Sequence, residues 1–142
     1  MDVVIVKEII YKPVDVVWSL ITELEYMKQW FFEDIPSFSA EVGFKTEFNV
    51  VSNGRNFLHS WEIVEVTENE SIVYKWQYPE YTHKDSYVKF CLNYVNEHET
   101  EVTITCEGIE NYPNDIPEFT YESCRAGWEY FMGRLVSFAK SK

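Results

Sequence analysis

Residues 43–66 read GFKTEFNVVSNGRNFLHSWEIVEV, and two features of this stretch decide the fold. The first is a period of two. Phe44, Thr46, Phe48 and Val50 alternate with Lys45, Glu47 and Asn49, and further on Phe57, His59, Trp61 and Ile63 share one face. Successive side chains of a strand point to opposite faces, so this alternation marks strands with one buried side. The second feature is Asn53-Gly54, a dipeptide suited to the left-handed backbone of a two-residue hairpin turn. Together they predict antiparallel strands over 43–51 and 56–66.

The pattern continues downstream. Residues 71–78 place Ile72, Tyr74, Trp76 and Tyr78 together, residues 86–95 place Val88, Phe90, Leu92 and Tyr94 together, and residues 100–107 do the same for Val102, Ile104 and Cys106. Short polar segments at 68–70, 79–84 and 96–99 separate these runs and read as turns, giving an antiparallel meander. Upstream, the β-branched run 3–11 reads as a first strand. Pro13 then suits a first helical turn, and Val14, Val17, Trp18 and Ile21 form a helical stripe over about 13–22. A second short helical piece over about 25–29 delivers Trp30-Phe31-Phe32.

Residues 108–117 form a proline-punctuated loop. From about Glu118 to Ala139 the period becomes helical: Tyr121, Cys124, Trp128, Phe131, Leu135 and Phe138 recur every three or four residues,. At 1.5 Å per residue such a helix is ~30 Å long, enough to cross a sheet. Gly127 sits in its middle, where glycine costs about 1 kcal/mol relative to alanine; the cost either marks a point of close approach or is tolerated without purpose. The expectation is one α+β domain over residues 1–142, a bent antiparallel sheet wrapped around a long C-terminal helix, with two short helices after the first strand.

That order is the helix-grip arrangement, and the chain resembles the START-like superfamily (SRPBCC). Within it, the chain is most similar to the branch related to the C-terminal domain of the activator of the heat-shock protein 90 ATPase. Four pieces carry the resemblance: Tyr11-Lys12-Pro13-Val14 with Val17-Trp18, Trp30-Phe31, Ile63-Val64-Glu65-Val66 followed by Ile72-Val73-Tyr74-Lys75-Trp76, and Gly127-Trp128. One departure stands out. Where members often carry Gly-Thr-x-Leu-Thr near the penultimate strand, this chain has Glu99-Thr100-Glu101-Val102-Thr103, without the glycine. The fold hosts carriers, cyclases, receptors and co-chaperones, so the resemblance implies architecture more than activity.

Composition narrows the rest. The formal charge is −12, with 12 basic residues scattered through the chain. Nucleic acid and anionic membrane surfaces need clustered Lys and Arg, so neither is an expected partner. Three cysteines, with no CxxC pair, suit neither a disulfide framework nor a zinc site,. The start Met1-Asp2-Val3-Val4 lacks the basic and apolar segments of a leader. A reducing cytoplasm is the expected compartment.

Function is less legible. No metal site, cofactor motif, phosphate loop or nucleophile elbow occurs in the sequence, and no catalytic residue is assigned. The resemblance implies a cavity between the concave sheet face and the last helix. Strand parity aims Phe44, Phe48, Phe57, His59, Trp61, Tyr74, Trp76, Phe90 and Leu92 toward it. The helix would contribute Trp128, Phe131 and Met132, and Trp30 and Phe31 would stand near the mouth. These rings either fill the space as core or line a pocket for a small hydrophobic or aromatic molecule. Non-enzymatic ligand binding is the leading expectation. A protein-interaction module of chaperone-activator type, with its surface around Tyr112 to Tyr121, is one alternative. A cyclase-like enzyme using His59 or Tyr74 as acid-base group is the other.

Overall fold

Cross-strand register explains why the inward residues form one surface. Phe48 stands opposite His59, Thr46 opposite Trp61, Trp61 opposite Trp76, and Tyr74 between Ile63 and Val88. Large inward side chains therefore sit side by side on one pleated face, the unit of sheet stabilisation. In the computed structural model, which describes residues 3–142, the sheet contains β1 (Val4–Ile10), β2 (Lys45–Ser52), β3 (Arg55–Thr67), β4 (Ser71–Gln77), β5 (Ser86–Asn96) and β6 (Glu99–Glu107). Their order is β1-β6-β5-β4-β3-β2, and every neighbouring pair is antiparallel. Met1 and Asp2, part of the N-terminal reading, lie outside the described residues.

Local chemistry sets the turns and the bend. Asn53 and Gly54 both have positive φ, 50° and 79°, as the β2–β3 hairpin requires,. Register shifts at Ile63/Glu65 and Tyr94/Asn96 interrupt two strands, and such bulges bend and twist a sheet. Tyr94, expected inward, is 67% exposed because it lies at the far end of β5, beyond the core. Gly108 follows β6 with φ +94°, and an added Cβ would sit 2.9 Å from the Asp85 carbonyl oxygen and Ser86 Cα. Only glycine allows β5 and the chain leaving β6 to approach so closely.

Three helices close the concave side: α1 (Val14–Thr22), α2 (Leu24–Trp30) and α3 (Tyr121–Lys140). The Trp30 indole N–H donates to the Leu20 carbonyl at 2.7 Å, fixing α2 against α1. Arg134 of α3 donates to the Gln29 carbonyl at 2.7 Å, satisfying the exposed end of α2,. The last helix begins at Tyr121, the first residue of its apolar stripe, and not at the expected Glu118. Pro117–Phe119 form a separate 3-10 turn, and Thr120 caps α3 by accepting from the Ser123 N–H at 3.2 Å,. The buried ridge of α3 is Trp128, Met132, Leu135 and Ala139. Trp128 faces inward, 5.5 Å from Trp76 and 6.1 Å from Phe90 between ring centroids.

Candidate functional site

Most of the inward rings touch one another. Phe31 lies at the centre, stacked on Trp30 at 4.7 Å and on Trp61 at 5.6 Å, with Phe131 edge-on at 4.9 Å. Trp61 also packs on Phe48 at 4.9 Å, Trp76 at 4.8 Å and Tyr74 at 5.0 Å. Contacts at such distances leave no room for a ligand between the rings.

Packing opens at one end, between the sheet and the N-terminal half of α3. A cleft of about 210 Å³ lies there. Trp76 and Val88 from β4 and β5, with Cys106 from β6, border it on the sheet side. Ser123, Cys124, Gly127, Trp128 and Phe131 border it on the helix side. Phe32, Tyr78, Tyr112 and Glu118 complete the lining. Among the described residues, no atom outside the surrounding helical turn comes within 4 Å of where a Gly127 Cβ would stand. The mid-helix glycine therefore serves no close backbone approach; it leaves the helix side of the cleft bare.

The cleft is chemically quiet. Burial pushes the Cys106 thiol up to about 12 and the Cys124 thiol up to about 11, and Cys124 adds to the rise at Cys106,. Burial likewise raises the Tyr78 and Tyr112 phenols above their ordinary range. All four stay protonated at neutral pH. The Ser86 hydroxyl donates to the Trp76 carbonyl at 2.6 Å and pairs with the Tyr112 hydroxyl, which anchors that ring. Glu118 is the charged member. Its own backbone N–H holds the carboxyl below its usual range, and burial opposes this, while Asn53 and Arg55 lower it further. Asn53 donates at 3.2 Å and Arg55 pairs at 3.2 Å, so the β2–β3 hairpin tip is clasped to the turn before α3.

A sequence model of the family described as Activator of Hsp90 ATPase homolog 1-like protein matches residues 12–140. The chain belongs to this family. Solved structures share its fold. Protein CV1439 from Chromobacterium violaceum is 17% identical with a TM-score of 0.80, and the match covers 98% of this chain and 97% of that one. PFC0360w from Plasmodium falciparum, an HSP90 activator, is 20% identical with a TM-score of 0.74, covering 99% and 97%. The Aha1 dimer from Colwellia psychrerythraea is 17% identical with a TM-score of 0.71, covering 96% and 95%. No curated protein matches the chain significantly. Identities this low establish the helix-grip architecture of the family and leave this member's ligand or partner to its own site.

The site residues expected from the sequence do not all meet at the cleft. Trp76, Trp128 and Phe131 border the cleft. Trp30, Phe48, Phe57, His59, Trp61, Tyr74, Phe90, Leu92 and Met132 are buried beside or beneath it without bordering it. Phe44 is half-buried at the far side, against Phe38 at 5.8 Å. Trp30 and Phe31, expected near the mouth, are 1% and 2% exposed at the core's centre, because the short α2 ends directly under the sheet; Phe32 borders the cleft in their place. His59 stacks on Phe48 at 5.1 Å, and its Nδ1–H donates to the Phe57 carbonyl at 3.0 Å. Burial lowers its pKa to about 4, so it is neutral at pH 7. Tyr112 and Phe119, expected on an exposed interaction surface, are buried against each other at 4.9 Å, and Phe119 packs on Phe57 and Tyr78. Among the described residues, no helix is long and apolar enough to cross a membrane, and no group of three His, Cys, Asp or Glu side chains converges.

Proposed function

We propose that this chain binds a small hydrophobic or aromatic molecule in the cleft between the sheet and the first half of α3. The observation carrying this reading is the bare Gly127 above a cleft of about 210 Å³ in an otherwise closely packed core. A protein cavity of roughly 150 Å³ holds benzene, so the cleft suits a molecule with one substituted ring. Its lining matches the usual character of small-molecule sites, mostly apolar with a few placed polar groups. Tyr78, Tyr112 and Ser123 supply those groups here.

The acid-base reading gains nothing from the geometry. His59 and Tyr74 are buried and do not border the cleft. The cleft's own thiols and phenols are held in their neutral forms, and weakly basic neutral groups make poor general bases at pH 7,. Binding without chemistry is therefore the reading favoured. Family membership also supports a chaperone-activator role, and the two are separable.

The test is a thermal-shift and native mass-spectrometry screen with one-ring compounds on the natural chain and on Gly127→Leu. A leucine side chain would project into the cleft. The reading predicts ligand-dependent stabilisation of the natural chain and none of the folded variant. Equal stabilisation of both proteins, or none of either, would remove it.

A further inference from the structure

We propose that the cleft selects organic cations, aryl or alkyl ammonium compounds, over neutral and anionic molecules of the same size. This rests on the cleft-binding reading above and adds the sign of the ligand's charge. Six aromatic rings border the cleft: Phe32, Trp76, Tyr78, Tyr112, Trp128 and Phe131. Four of them are linked ring to ring, and Phe31, which does not border the cleft, packs against all four. Phe32 is 6.2 Å from Trp76, Trp76 5.5 Å from Trp128, Trp128 6.0 Å from Phe131, and Phe131 4.8 Å from Phe32. Tyr78 and Tyr112 pair separately, 5.3 Å apart and inclined by 79°. A ring face carries negative electrostatic potential and attracts a cation within about 6 Å, most strongly where water is excluded.

The remaining lining points the same way. Among the described residues, none bordering the cleft is Lys, Arg or His. Among the described residues that border it, the formal charge is the Glu118 carboxylate. The chain as a whole carries −12. An anion would enter against this field and lose its hydration with no basic group to replace it. A cation loses hydration too, and ring faces and carboxylate offset that loss. Arg55 opposes the effect, since its guanidinium sits 3.2 Å from Glu118 and offsets the carboxylate's charge. It is anchored on the hairpin and does not itself border the cleft.

Three probes of similar shape separate the possibilities: phenyltrimethylammonium, tert-butylbenzene and benzenesulfonate, titrated at fixed ionic strength and followed by NMR. The expected order is the cation tightest, with the anion roughly tenfold or more weaker, the scale of a desolvated cation–ring contact. Phe131→Leu should weaken the cation and leave the hydrocarbon within about twofold, because leucine keeps the apolar contact and removes the ring. Glu118→Gln should weaken the cation alone. Arg55→Gln should strengthen it, and this exposed pair gives a readout even where Phe131→Leu does not fold. If the hydrocarbon or the anion binds as tightly as the cation, the charge preference is wrong while the cleft remains a binding site. If no probe binds, the cleft-binding reading itself fails and this inference with it.

Discussion

Replacing His59 by Phe should remove part of the stability loss that this protein undergoes in acid. The ring is buried, stacks on Phe48, and has a folded-state pKa of about 4 against an ordinary value of 6.5. A pKa depressed on folding means that the unfolded chain binds the proton first. Stability is then present above pH 6.5 and drains away as the pH falls toward 4. At one pH unit per about 1.4 kcal/mol, this group alone removes about 2 kcal/mol between pH 7.5 and pH 5. Phenylalanine keeps the ring and cannot titrate. It forfeits the hydrogen bond to the Phe57 carbonyl, a loss of about 1 kcal/mol at neutral pH,. The variant should therefore be slightly less stable than the natural chain at pH 7.5 and more stable at pH 5. Urea unfolding at pH 7.5, 6.5, 5.5 and 5.0 on both proteins measures this. Subtracting one series from the other removes the carboxylates and the exposed His83 and His98, which are common to both. A difference that stays constant with pH would refute the burial argument.

Two glycines should respond with opposite signs. Gly127→Ala should raise stability by up to about 1 kcal/mol in chemical denaturation, since its Cβ meets nothing and the helix gains,. Gly108→Ala should cost about 2 kcal/mol or more in the same assay, because φ is +94° and backbone atoms lie 2.9 Å from the new Cβ,. The buried Cys106 thiol should label slowly with an aromatic disulfide reagent at pH 7.5, while the half-buried Cys91 labels faster,. The raised pKa values of Cys106 and Cys124 also imply that stability falls as the pH climbs past about 9, where the unfolded thiols ionise first,. Cys106→Ala should lessen that alkaline loss in pH-dependent unfolding.

The fold was legible because its signals are periodic. Alternation in 43–66 and the Asn53-Gly54 turn reappear as β2, β3 and their hairpin, and the spacing from Trp128 to Phe138 reappears as α3. Periodicity names a face; it does not say what stands opposite. Trp61 and Trp76 are cross-strand neighbours of the same parity, yet only Trp76 borders the cleft, because Phe31 and Phe48 pack onto Trp61. Tyr112, Glu118 and Phe119 lie in an aperiodic loop whose course is set by tertiary contacts. Cys106 was visible as an inward residue of its strand, and Cys124 as part of the helix stripe. Their meeting at one cleft depends on how α3 crosses the sheet. Gly127 reads in the sequence as a point of close approach or a tolerated cost, and the structure rules out the close approach, because the space beside it is open.

The most direct test of the central claim is an NMR titration of the isotope-labelled chain with a soluble one-ring ligand. The account predicts saturable shifts at the Trp76 and Trp128 indole N–H groups and the Gly127 amide, with the Trp30 and Trp61 indoles unmoved. Shifts confined to other surfaces, or a linear response that never saturates, would contradict it.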